Sequence, residues 1–217
     1  MALLKANIGT LKIASKIISD GGIIIYPTDT VYGLGCDPFN QIALRRILKI
    51  KEGRRKPLPI LVATKKDAMN ILIWNEPAEI LTSRFWPGQL TIVLKCASTF
   101  PPEVTAGGDN LAVRVPNNRI TLELLRLCQG PLIGTSANPT GMQPCTTAQE
   151  AVETLGEKVD LIIDGGKSTT TAPSTVIDLS NNFKIIREGS LSPILLWEIL
   201  GKDFKNPNKY RCDQKIL

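Results

Sequence analysis

The chain contains no histidine. That absence removes Ser-His and Cys-His nucleophile systems, and most zinc sites with them. Aromatic residues make up only 5% of the chain. None falls within the basic segment Arg45 to Lys56, which argues against a stacking platform for single-stranded nucleic acid there. The five cysteines, Cys36, Cys96, Cys128, Cys145 and Cys212, are odd in number and widely spaced. No pair has zinc-ligand or redox spacing, so they read as isolated reduced thiols. No apolar run approaches the ~18 residues of a membrane span. The opening stretch MALLKANIGTLKIASK has scattered lysines and does not read as a signal peptide. A cytoplasmic protein with no membrane partner is expected.

What is present fits one soluble domain: 217 residues, 43% apolar and 21% charged. The net charge of +6 is 26 basic minus 20 acidic residues. Much of it is local, because Arg45 to Lys56 holds seven basic residues and one acid. So concentrated a patch suggests an anionic partner.

The stretch GGIIIYPTDTVYGLGCDP, Gly21 to Pro38, runs four apolar residues into Pro-Thr-Asp-Thr. The first part reads as a strand buried on both faces. The second is small and rich in hydroxyls. Ligands of open α/β sheets gather just past the carboxyl ends of strands, so this join is a candidate site.

Helical spacing is expected over Gly9 to Asp20, Gln41 to Lys51 and TLELLRLCQG. Thr147 and Glu150 have capping-box spacing before AQEAVETLG. Strands are expected in PLPILVAT, TIVLKCA, LAVRVP, PLIGTSAN, VDLIIDGG, STVIDLS and FKIIREG. A short helix should start at Ser192-Pro193. The pattern predicts an α/β fold: one domain with a twisted, mixed parallel and antiparallel sheet and flanking helices. Its bounds are 8–190, followed by a short helix and basic tail over 191–217.

Two phosphate motifs fail. DGGKS, Asp164 to Ser168, resembles a P-loop ending, but Leu161 stands where the first glycine is needed and no helix follows. In GLGCDP, Pro38 stands where the third dinucleotide-fold glycine is needed.

Three clusters remain. They are Thr28-Asp29-Thr30 after the Ile strand, KEGRRKPLPILV with Lys51, Arg54, Arg55 and Lys56, and PLIGTSANPTG with Ser136 and Asn138. Each alone could be a polar turn or a solvated loop. Together they put cations and short hydroxyl and amide groups at several strand ends, as an anionic, oxygen-rich ligand such as a nucleotide requires.

These blocks, with WPGQLTIVLK, VTAGGDNLAVRVP and PSTVIDLS…IIREG, occur in the order found in the YrdC domain of threonylcarbamoyl-AMP synthases. The chain resembles that family over about residues 8 to 190, as a single-domain form. The resemblance implies a nucleotidyltransferase that joins L-threonine, bicarbonate and ATP into threonylcarbamoyl-adenylate and pyrophosphate. It also implies roles in tRNA threonylcarbamoyladenosine modification, with tRNA and a threonylcarbamoyl-transferase complex as possible partners.

By that resemblance, Lys51 and Arg54 act on the phosphates as catalytic cations. Lys51, Arg54, Arg55, Ser136, Asn138 and Arg187 bind ATP, and Thr28, Arg114, Thr135 and Ser174 bind threonine. The family spaces its basic pair as Lys-x-Arg. Here two residues separate Lys51 from Arg54, so Arg54 and Arg55 stand as alternatives for the phosphate contact. Mg²⁺ is expected to arrive with ATP, without a protein cage. The alternative from charge alone is a non-enzymatic RNA-binding module of tRNA or ribosome maturation.

Overall fold

The computed structural model describes residues 1–52, 56–181 and 183–203. In chain order the elements are β1 (Ala2–Lys5), α1 (Ile8–Ser19), β2 (Ile24–Tyr26), β3 (Gly33–Gly35), α2 (Gln41–Ile50) and β4 (Ile60–Leu61). Next come α3 (Lys65–Ile71), α4 (Glu76–Phe85), β5 (Leu90–Lys95), α5 (Pro102–Thr105), β6 (Asn110–Arg114) and α6 (Arg119–Cys128). The chain continues through β7 (Leu132–Ile133), β8 (Thr135–Ser136), α7 (Ala148–Leu155), β9 (Leu161–Asp164), β10 (Thr175–Asp178), β11 (Lys184–Arg187) and α8 (Pro193–Asp203).

The α/β class and the mixed pairing match the expectation. The strands divide, however, between two sheets rather than one. The first has the order β1-β9-β2-β3-β8 and the second β11-β10-β5-β6-β4-β7. β1 pairs in parallel with β9 along its whole length. It was not expected, because ALLK is too short to carry a readable period. The helices start where their caps stand. Asn7, Asn40 and Asn118 each accept a backbone N–H from the first turn. Thr147 caps α7 as its spacing predicts, but the Glu150 carboxylate turns back to the Thr146 N–H at 2.6 Å instead of closing the box on Thr147.

The Ile run is explained by where its two faces go. Ile23 and Ile25 enter the larger core with Leu44 and Ile47 of α2 and Ile60 of β4. Ile24 and Tyr26 enter a second core with Leu11 and Ile18 of α1 and Leu124 of α6. All four residues are fully buried, so β2 lies at the centre of the first sheet with apolar cover above and below. Each such side chain stabilises the fold by about 1.5–3 kcal/mol relative to exposure. The Tyr26 hydroxyl, driven strongly upward in pKa by burial, donates to the Ile133 carbonyl at 2.7 Å. β2 is therefore tied to β7 of the other sheet.

Asp160 ties a helix to this centre. Its carboxylate accepts from Arg46 of α2 at 2.7 and 3.0 Å and from the Ile23 N–H at 2.7 Å.

Gly35 marks a close approach of the two sheets. A Cβ there would lie 2.2 Å from the Ile133 carbonyl oxygen and 2.8 Å from the Tyr26 ring. Gly35→Ala should therefore cost about 1–3 kcal/mol, because neither neighbour can retreat cheaply. Urea unfolding of the purified variant measures this. An unchanged midpoint would show that the sheets part there without cost.

Candidate active site

The site is built where the two sheets face each other. After β2, Pro27 turns the chain out of the first sheet. Thr28 then organises a tight turn. Its Oγ donates to the Val31 carbonyl at 2.7 Å, accepts from the Thr30 N–H at 3.1 Å and meets the Thr30 hydroxyl at 3.0 Å. The hydroxyl of Thr28 is thus engaged in the turn.

The turn presents Asp29 and Thr30 to Arg114, the last residue of β6 in the second sheet. Arg114 Nη2 donates to Asp29 Oδ1 at 2.5 Å, Nη1 to the Thr30 hydroxyl at 3.0 Å, and Nε to the Gly88 carbonyl at 2.8 Å. The Arg114 and Asp29 side chains are only 6% and 9% exposed. Burial pushes the Arg114 pKa down, and the charge and hydrogen bond of Asp29 oppose that shift. An arginine has five N–H donors and three are engaged here. One N–H on each terminal nitrogen remains for a ligand.

The second wall comes from PLIGTSAN. It folds as two short strands in different sheets. β7 pairs with β4 and β8 pairs with β3, with Gly134 between them. The crossing delivers Thr135, Ser136 and Asn138 into the space between the sheets. Lys51, at the C-terminal cap of α2, is 3% exposed. Its ammonium donates to the Asn138 side-chain oxygen at 2.9 Å and approaches the Ser136 hydroxyl at 3.4 Å. Ser136 itself donates to Asn138 Oδ1 at 2.6 Å. The Asn138 amide holds the next turn through the Pro139 carbonyl at 3.0 Å and the Met142 carbonyl at 2.5 Å.

The third wall is the start of β10 and the end of β11. Ser174 shares a 2.7 Å hydrogen bond with Thr91 of β5. Arg187 donates to the Ser174 carbonyl at 2.9 and 3.1 Å, and to its hydroxyl at 3.2 Å.

One cleft is lined by Thr28, Arg114, Thr135, Ser136, Ser174 and Arg187 together, with Tyr32 and Thr91. The predicted residues that the structure describes are thus brought to one place. Lys51 and Asn138 join it through Ser136. Arg54 and Arg55 lie outside the described residues. Sequence reasoning passed over Thr91, hidden in an ordinary strand, and named Asp29 within the Thr28-Asp29-Thr30 cluster without giving it a role of its own. Only the pairing of β5 with β10 brings Thr91 to Ser174, and that register has no local signature.

DGGKS packs against the turn that follows β2. A Cβ on Gly165 would lie 2.5 Å from the Pro27 ring, so glycine lets this turn sit under the site. Tyr32 clamps it, donating to the Gly166 carbonyl at 2.7 Å and accepting from the Gly165 N–H at 3.2 Å. Among the described residues, no group of three histidine, cysteine, aspartate or glutamate side chains is placed to hold a metal ion. No helix among them is long and apolar enough to cross a membrane.

A family model of the Sua5/YciO/YrdC type, described as telomere recombination, matches residues 16–189. The chain belongs to the Sua5/YciO/YrdC family. A threonylcarbamoyl-AMP synthase of Pyrococcus abyssi is 35% identical over 92% of this chain and 60% of its own length. This chain therefore spans about three fifths of that relative. One from Thiobacillus denitrificans is 37% identical over 77% of this chain and 89% of its own. Among solved structures, P. abyssi Sua5 complexed with L-threonine superposes with a TM-score of 0.85 at 34% identity, covering 92% of this chain and 60% of that one. Escherichia coli YciO follows at 0.79 and 26%, covering 88% and 96%.

Asn138 is the residue that joins Lys51, Ser136 and the 139–142 turn. Asn138→Ala should lower stability by about 1–3 kcal/mol, since it deletes buried hydrogen bonds, one of them to a charge. Thermal unfolding of the unliganded protein reads this. A melting curve like that of the parent would show that the turn is held by other contacts.

Proposed function

We propose that this protein is a threonylcarbamoyl-AMP synthase, forming threonylcarbamoyl-adenylate and pyrophosphate from L-threonine, bicarbonate and ATP. The observation that carries this reading is a cleft lined by Arg114, with two N–H groups unengaged, and by Ser136, which is hydrogen-bonded to the buried Lys51 and Asn138. The names of the relatives support it. The Sua5 structure with bound L-threonine supports the amino-acid half.

In this reading the Arg114 fork takes the threonine carboxylate, because two N–H groups on one planar cation match two carboxylate oxygens. Thr28, Thr135 and Ser174 line the rest of the amino-acid subsite. Lys51, with Arg54 or Arg55, meets the triphosphate. Ser136, Asn138 and Arg187 hold the nucleotide. The threonine amine and bicarbonate condense to a carbamate with loss of water. A carbamate oxygen then attacks the α-phosphorus, and pyrophosphate leaves. No protein nucleophile is required. The protein supplies positioning and fixed positive charge where negative charge develops on the phosphates. A divalent cation such as Mg²⁺ enters as part of the nucleotide substrate. The product then passes to a transferase complex acting on tRNA in the cytoplasm.

Mass spectrometry of the product formed from ATP, threonine and bicarbonate tests the reaction. Omission of any one substrate should abolish pyrophosphate release. A protein that retains RNA but makes no adenylate would instead favour a binding module.

Two substitutions separate the subsites. Arg114→Ala should weaken threonine binding by roughly 2–5 kcal/mol, the range for removing one partner of a desolvated charge pair. ATP affinity should change far less. Equal losses for both ligands, or a protein that no longer folds, would make Arg114 a structural residue. Lys51→Ala should weaken ATP binding and lower turnover while threonine binding persists. Wild-type adenylate synthesis with reduced RNA retention would move Lys51 to an RNA-binding role.

A further inference from the structure

Asp29 contacts Arg114 with one oxygen only. Oδ1 accepts from Nη2, while Oδ2 is buried and lacks a hydrogen-bond partner. An unpaired buried carboxylate oxygen is costly, and a two-pronged pairing with the guanidinium would have satisfied it. The side-on form of that pairing is closed, because Nε is held by the Gly88 carbonyl, and one of the two Nη1 N–H groups is turned to the Thr30 hydroxyl. The three anchors come from two loops and fix the guanidinium plane. Asp29 itself is held rigidly, because its backbone carbonyl accepts from Gln89 at 2.9 Å and from Thr169 at 3.2 Å. Arg114 lines the cleft and Asp29 does not; Asp29 lines a neighbouring cavity, and Thr28 borders both.

We propose that Asp29 is a positioning residue for the amino-acid substrate: it holds the Arg114 guanidinium so that its unused N–H fork faces the threonine carboxylate. It stands behind the arginine and does not touch the substrate. The arrangement leaves Asp29 underused and Arg114 open, which is the reverse of what a purely structural ion pair would do. The inference rests on the assignment of Arg114 to the threonine carboxylate.

The test separates position from charge with two conservative variants. Asp29→Glu keeps the ion pair but lengthens the anchor by one methylene, which displaces the fork. Asp29→Asn keeps an oxygen acceptor at the same distance and removes the charge. Threonine and ATP affinities are measured separately by calorimetry, with KM and kcat from pyrophosphate release. Asp29→Glu should raise the threonine Kd and KM at least tenfold, with ATP affinity within twofold of the parent. Asp29→Asn should lose less than Asp29→Glu in threonine affinity.

The opposite order, with Asn worse than Glu, would overturn the proposal in favour of a charge-neutralising role. Equal losses for threonine and ATP, or a parallel fall in melting temperature, would overturn it in favour of a structural one. L-Threoninamide, which lacks the carboxylate, tests the underlying assignment independently. If the parent protein binds it as tightly as threonine, the reading of Arg114 fails, and this inference fails with it. If the parent discriminates but Asp29→Glu does not weaken threonine, only the inference fails.

Discussion

Arg114 carries a positive charge into a place almost closed to water, and the site is organised by what neutralises it. An isolated buried ion is strongly disfavoured, so a partner must stand against it. Asp29 is that partner at 2.5 Å. To supply it, the chain must leave β2 in a turn tight enough to return a carboxylate to the other sheet. Pro27, the Thr28 hydroxyl and the Gly165-Gly166 turn beneath it all act on that geometry. The Thr121 hydroxyl also donates to the Pro27 carbonyl and fixes the start of the turn to α6.

The second constraint is the space between the sheets. A ligand cleft there needs polar walls on an apolar core. The sequence reaches that state three times by the same device. An apolar strand ends and small polar residues follow: Tyr26 before Thr28, Ile133 before Ser136, and, in reverse order, Ser174 before Thr175 and Ile177. The strands secure the backbone in a dry core. The polar residues then project a short, stiff distance. Short side chains lose little rotamer freedom on ordering, so the cleft can be pre-arranged at small entropic cost. Lys51 is the exception among them. Its long stem runs through the protein interior, and Asn138 receives its head.

Much of this was legible in the sequence, for identifiable reasons. The central strand announced itself because a strand covered on both faces carries an unbroken apolar run, and Ile23 to Tyr26 do divide between two cores. The amphipathic helices α1, α2 and α6 were readable because their buried positions recur at helical spacing. The clusters at Thr28 and Ser136 stood out as abrupt changes from apolar to polar. The two-sheet division was not readable. It depends on Gly134 switching partners between adjacent two-residue strands, too short to carry any period. Nor was the engagement of the Thr28 hydroxyl, which comes from the local turn. The importance of Asp29 was hidden for a related reason, since the same residue type serves as an ordinary turn cap. Only the partner from β6, distant in sequence, changes its meaning.

The central claim is that a preset arginine, held from behind, receives the amino-acid carboxylate. A crystal structure of this protein with L-threonine bound tests it most directly. The account predicts the carboxylate on the two unused N–H groups of Arg114, with the Asp29, Thr30 and Gly88 contacts retained. A carboxylate bound elsewhere, or one that displaces Asp29 from the guanidinium, would contradict it.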